Sequence, residues 1–203
     1  MTADVLDVAS TALLLVDLQN DFIHPRGAYA RGGLANPDIG ALPGRIAPLA
    51  KIWRAKGGLV VATHFTLVPG RGGEPIISPH LKAMRPFLTK GDFAPGSWGQ
   101  QTVEELQPID IAIEKVAYSA FYMSRLEWVL RKLGVRGLVV GGIVTNGGVA
   151  STVREAHVRD FAVAVMADAC AAFSPEVHST ALAALEPVAR IASVAEMTAA
   201  LAP

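Results

Sequence analysis

Leu138-Val139-Val140-Gly141-Gly142-Ile143-Val144-Thr145-Asn146-Gly147-Gly148-Val149 passes from an apolar run through a glycine-rich turn into Ala150-Ser151-Thr152-Val153-Arg154-Glu155-Ala156. The uninterrupted apolar run suits a strand covered on both faces, and the segment after the turn suits a helix. A strand-to-helix turn of this kind presents backbone N–H groups, and the positive end of a helix, to whatever lies above it.

The same alternation extends in both directions along the chain. Thr11–Asp17, Leu59–His64, Ile109–Val116, Leu138–Gly142, Phe161–Ala167 and Val188–Ala192 read as six strands. Between them lie helix signals. Ser124-Arg125-Leu126-Glu127 reads as a capping box, with Gly134 as the stop. Ser174-Pro175 gives an N-cap with proline at the first helical position. Ser193-Val194-Ala195-Glu196 reads as a second capping box. Alternating β and α elements imply a six-stranded, mostly parallel sheet with helices on both faces, a three-layer αβα fold of the Rossmann-like kind. No repeat, linker or composition break divides the chain, so residues 1–203 read as one domain. Phe65 to Trp98, rich in Pro and Gly, is the one long connection. Such a connection is a lid, a binding loop or an oligomer contact.

Charged residues make up 18% of the 203 and hydrophobic ones 51%. A chain this apolar is expected to bury surface against copies of itself, as a homodimer or homotetramer. Eighteen basic residues balance eighteen acidic ones, which argues against nucleic-acid and membrane partners and leaves a small-molecule substrate. The first residues lack the pattern of a signal peptide, and no apolar run approaches a membrane span, so the expected location is the cytoplasm. One cysteine, Cys170, excludes an intrachain disulfide framework and reads as an inert buried thiol.

Ligands of open α/β sheets bind outside the carboxyl ends of the strands, so residues there carry most weight. Asp17 ends the first strand, Lys115 the third, and the Gly148 turn follows the fourth. With a side-chain period of two, Asp17 closes the row Leu13, Leu15, and Lys115 closes the row Ile111, Ile113. A charge closing an apolar row is costly unless it is paired or used. As plain structure, Asp17 would cap a loop and Lys115 would reach to solvent.

Leu14-Leu15-Val16-Asp17-Leu18-Gln19-Asn20-Asp21-Phe22, Lys115-Val116-Ala117-Tyr118-Ser119-Ala120-Phe121-Tyr122 and Gly142-Ile143-Val144-Thr145-Asn146 resemble, in order and spacing, the three motifs of the isochorismatase-like family, also called cysteine hydrolases. Thr152-Val153-Arg154-Glu155-Ala156 and Asp168-Ala169-Cys170 are similar to their usual continuation. The resemblance implies a catalytic Asp17 and Lys115, a non-proline cis peptide between Ile143 and Val144, and oxyanion donors from the amides of Val144 and Gly148. It also sets a departure in view, because most members carry their nucleophilic cysteine at the position of Gly148. Glycine cannot attack a carbonyl, but its N–H can still stabilise an oxyanion. Loss of CH₂SH releases about one water's share of volume, ~30 Å³, beside Asp17.

The resulting expectation is a cofactor-independent hydrolase in which Asp17 activates water directly. One alternative is a vinyl-ether hydrolase of isochorismate type, with Asp17 as general acid. Another is an impaired relative that serves as a binding or structural oligomer. Retention of Asp17, Lys115 and Thr145-Asn146 argues against decay of the site. Asn20, Phe22, Trp98, Tyr118, Phe121 and Asn146 flank the motifs and are candidate substrate contacts. Arg26, Arg31, Arg71 and Arg85 are candidate carboxylate binders in loops, and Arg154 reads as a salt bridge between elements. His64 and His80 are too far apart in sequence for a metal signal, and no metal is expected.

Overall fold

The computed structural model describes residues 7–201. Its sheet holds β1 (Thr11–Val16), β2 (Leu59–Phe65), β3 (Ile111–Lys115), β4 (Gly137–Ile143), β5 (Ala162–Ala171) and β6 (Arg190–Ala192). Every pairing is parallel, in the order β3-β2-β1-β4-β5-β6. Short helices α1 (Asn20–Ile23), α2 (Ala28–Arg31) and α3 (Pro37–Gly40) lead into α4 (Leu42–Ala55). The β2–β3 connection carries α5 (Pro79–Met84); then come α6 (Leu126–Lys132), α7 (Ala150–His157), α8 (Pro175–Ala183) and α9 (Val194–Ala200).

Alternate residues of β1 enter opposite cores. Leu13 and Leu15 pack with Ile46 and Trp53 of α4 and Met197 of α9. Leu14 and Val16 pack with Leu126 and Leu130 of α6 and Val153 of α7. Leu13, Leu14 and Leu15 are fully buried, and burial of each stabilises the fold by about 1.5–3 kcal/mol. Helices thus cover both faces, which is the three-layer arrangement that the sequence implies.

The topology fixes where a ligand can sit. From β1 the chain steps outward through β2 to β3, then crosses back to lay β4 on the other flank of β1. The crevice at this reversal, above the carboxyl ends of β1 and β4, is where open α/β sheets bind ligands.

Two helix starts follow their sequence signals. Ser174 accepts the Val177 N–H with Pro175 in the first turn, and Ser193 with Glu196 forms a complete capping box. The third does not form as a box. Ser124 Oγ accepts the Leu126 N–H at 3.1 Å, and Arg125 takes the cap position without a side-chain bond. Glu127 is drawn instead to Arg159, just beyond α7, at 2.9 Å. Gly134, with φ +72°, ends α6 as expected. The β5 strand continues past Ala167 to Ala171, because a register shift between Val140 and Gly142 lets it keep pairing with β4 through Cys170.

Candidate active site

Strict alternation would put the Asp17 side chain on the α4 side of the sheet with Leu13 and Leu15. Lys115 belongs to the opposite side, since Leu14, Val61 and Ile111 are aligned across β1, β2 and β3. Asp17 escapes its row. Its φ of +56° is a left-handed conformation that Asp tolerates better than most side chains do. The chain turns there, and Asp17 Oδ2 meets Lys115 Nζ at 2.6 Å, with both residues buried.

The hydrogen bonds assign the roles. Thr63 Oγ1 receives the Asp17 N–H and gives its single proton to Asp17 Oδ1 at 2.7 Å. Lys115 is a donor only, so both carboxylate oxygens act as acceptors. A second Lys115 N–H goes to the Ala117 carbonyl at 2.9 Å, and the ammonium lies 5.6 Å from the centre of the Phe65 ring.

The β4 turn closes over this pair. Gly142 takes φ +131°, and any Cβ there would stand 2.1 Å from the Val16 carbonyl oxygen, so the close approach of β4 to β1 requires glycine. The Ile143–Val144 peptide is cis, and residues 145–149 form a wide helical turn leading into α7. Thr145, buried in that turn, is tied to His178 Nδ1 at 2.8 Å. A Cβ on Gly148 would lie 3.4 Å from Asp17 Oδ2, so a group seated over Gly148 touches the carboxylate. It would also come within 2.8 Å of the Ile143 carbonyl oxygen, so the backbone is drawn close around glycine. The Val144 N–H has no protein acceptor among the described residues.

A cavity of about 350 Å³ opens above these groups. Asp17, Lys115, Val144 and Gly148 form its floor, and Phe22 and Tyr118 contribute walls. The other four expected contacts lie elsewhere. Asn20 is buried with its amide donating to the Trp98 carbonyl at 2.8 Å, a clamp on the long β2–β3 connection. The Trp98 ring faces outward against His24 and Arg26. Phe121 packs in the core against Phe161, and Asn146 lines a separate groove between α7 and α8.

Sequence reasoning passed over Thr63, Phe65, Tyr29 and Phe173. Thr63 and Phe65 end β2 and Phe173 follows β5, so the rule about carboxyl ends of strands points to all three. Tyr29 comes from α2 and carries no such signal. The long connection supplies Ser78, His80, Leu81, Met84 and Arg85 to the cavity wall. Of the four loop arginines, Arg85 alone lines the cavity; Arg31 pairs with Asp92, and Arg26 stacks on Trp98.

Three further residues are settled by their surroundings. Burial pushes the Cys170 thiol up to about 12, so it stays protonated and unreactive at neutral pH. Arg154 makes no salt bridge among the described residues. Its guanidinium donates to the Ala184 carbonyl at 3.3 Å, because the end of α8 presents carbonyls rather than a carboxylate. His64 Nε2 bonds Thr102 Oγ1 at 2.8 Å, away from His80, and no three His, Cys, Asp or Glu converge on a metal position among the described residues.

A parallel αβα sheet thus carries a buried carboxylate–ammonium pair under a glycine turn, the arrangement that the isochorismatase-like motifs imply. Residues 11–198 match the isochorismatase domain. The ureidoacrylate amidohydrolase RutB of Methylobacterium radiotolerans is 37% identical over 193 aligned positions, covering 89% of this chain and 75% of the relative. A cysteine hydrolase from Pseudomonas syringae pv. phaseolicola superposes with a TM-score of 0.81 at 23% identity, over 97% of this chain and 94% of that one. The N-carbamoylsarcosine amidase of Thermoplasma acidophilum gives 0.70 at 25% identity, over 91% and 96%. The chain belongs to the isochorismatase family and is a hydrolase of that family.

Proposed function

We propose that this hydrolase cleaves the C–N bond of a small amide or ureide with water as the nucleophile. The observation that carries the reading is the position of Asp17 Oδ2, 3.4 Å from the point a Cβ on Gly148 would occupy. A water seated over Gly148 gives a proton to Oδ2 as its oxygen attacks the substrate carbonyl. The carbonyl oxygen takes up the displaced electron pair and is held by the amides of Val144 and Gly148. When the tetrahedral adduct collapses, the C–N bond breaks and the departing nitrogen recovers the proton from Asp17. Lys115 keeps the carboxylate oriented throughout. The names of two relatives, an amidohydrolase and an amidase, support C–N cleavage.

The vinyl-ether alternative needs Asp17 to donate a proton, whereas both of its oxygens accept hydrogen bonds. That favours the base.

The test is turnover of N-carbamoyl acids and simple amides by the wild-type chain and by Asp17→Asn. The variant is expected to lose about 10²–10⁴-fold in kcat while its circular dichroism is unchanged. Undiminished turnover by Asp17→Asn would remove the base from the mechanism. Ligand binding by a wild-type chain that turns over no amide would favour the binding-protein reading.

A further inference from the structure

The charges that line the cavity do not balance. Asp17 and Lys115 cancel each other at 2.6 Å, and Arg85 is the remaining lysine or arginine in the wall, with no other carboxylate beside it. Arg85 enters none of the ion pairs among the described residues. A half-buried guanidinium held beside aromatic rings, without a counter-charge, is free to receive an anion from the cavity.

Its setting is also built rather than loose. The guanidinium carbon lies 5.7 Å from the centre of the Tyr29 ring and 5.6 Å from that of Phe173, and those two rings stack at 5.9 Å with 11° between their planes. Arg85 Nε donates to the Tyr29 hydroxyl at 3.1 Å, and Nη1 donates to the Met84 carbonyl at 2.9 Å. Burial pushes the Tyr29 hydroxyl up from its ordinary value, so Tyr29 is a neutral acceptor and not a counter-ion. A guanidinium has five N–H donors, so donors remain at the outer edge of the fork, including both on Nη2. A planar fork held on one side by hydrogen bonds and flanked by rings is pre-organised for a carboxylate.

We propose that Arg85 is a carboxylate subsite, and that the substrate is the amide or ureide of a short carboxylic acid. This rests on the C–N hydrolysis proposed above. The acid end sits at Arg85 and the scissile carbonyl sits at the amides of Val144 and Gly148. The cavity of about 350 Å³ equals roughly a dozen water shares of ~30 Å³, which suits a molecule of that size. The arginine comes from the β2–β3 connection and the reacting groups from the sheet, so an acid substrate bridges the two.

Calorimetric titration of the wild-type chain with levulinate and with its matching keto alcohol tests the proposal without any turnover. The acid is expected to bind about 10- to 100-fold tighter than the alcohol, the range of a charged hydrogen-bonded pair. Arg85→Met should collapse that ratio towards one, and Arg85→Lys, a point charge without the fork, should keep part of it. Equal binding of acid and alcohol by the wild type, or a ratio that survives Arg85→Met, would overturn the subsite. So would inorganic phosphate binding in preference to levulinate. The wild-type ratio decides even if Arg85→Met does not fold. Amide turnover without acid preference defeats this inference alone, and acid preference without amide turnover defeats only the C–N reading.

Discussion

Asp17 and Lys115 are 4% and 2% exposed, so each has given up almost all of its hydration. Their attraction at 2.6 Å, with further bonds to Thr63 and the Ala117 carbonyl, offsets that loss only while both partners are present. Lys115→Met leaves a buried carboxylate unpaired and is expected to destabilise the chain by about 3–5 kcal/mol in urea unfolding. The double variant Asp17→Leu, Lys115→Met removes both charges and should recover most of that loss. A double-mutant cycle measures the difference. A pair whose joint replacement is nearly neutral for stability is there for chemistry. If both single variants and the double variant all unfold at the wild-type urea concentration, the pair is screened by solvent and the argument for a costly buried pair fails. The pair was legible as two charges ending apolar rows. That they meet was implied by the family motifs and not by alternation, which assigns them to opposite faces. The left-handed turn at Asp17 that reunites them leaves no pattern in the hydrophobic spacing.

At the scale of elements, capping signals were read with unequal success, and the reason is physical. Ser193 and Glu196 stand on an exposed helix start where Glu196 enters no ion pair among the described residues, so the local exchange of hydrogen bonds forms. Glu127 has Arg159 within reach and leaves its capping partner. The local rule therefore holds where no tertiary cation captures the glutamate. Ser193→Ala is expected to cost about 1 kcal/mol, read as a lowered urea midpoint, because the Glu196 N–H at the start of α9 loses its side-chain acceptor. Asp168 Oδ1 already accepts the Val194 N–H at 2.8 Å, so α9 should remain docked in that variant. Loss of the whole helix signal would show the cap to be more than a local term.

Across the whole molecule, the sheet was readable because six apolar runs separated by helix signals admit few arrangements, and the right-handed crossover rule removes most of those. The cavity wall was harder. Asn20, Phe121 and Trp98 flank motifs in sequence yet turn into clamps, core and surface, while Tyr29 and Arg85 arrive from segments whose path no periodicity fixes. Folding also buries titratable groups outside the active pair, and these set the pH response. Burial lowers both His64 and His178 below the ordinary value of 6.5, against weaker opposing pulls from Asp17 and Glu114 on the first and from Asp38 on the second. In the window below 6.5 the unfolded chain therefore binds more protons than the native one, and stability falls as the pH drops through it. Asp21 acts in the opposite sense above 3.8, since burial raises its carboxyl and the native state holds that proton longer. Urea midpoints measured downward from neutrality should therefore fall first. His64→Gln, which keeps a side chain able to bond Thr102, should flatten that slope in proportion to the share His64 carries. A slope unchanged in His64→Gln and in His178→Gln would mean that neither imidazole is desolvated by the fold, and that the packing of β2 against the β2–β3 connection is looser than the geometry requires.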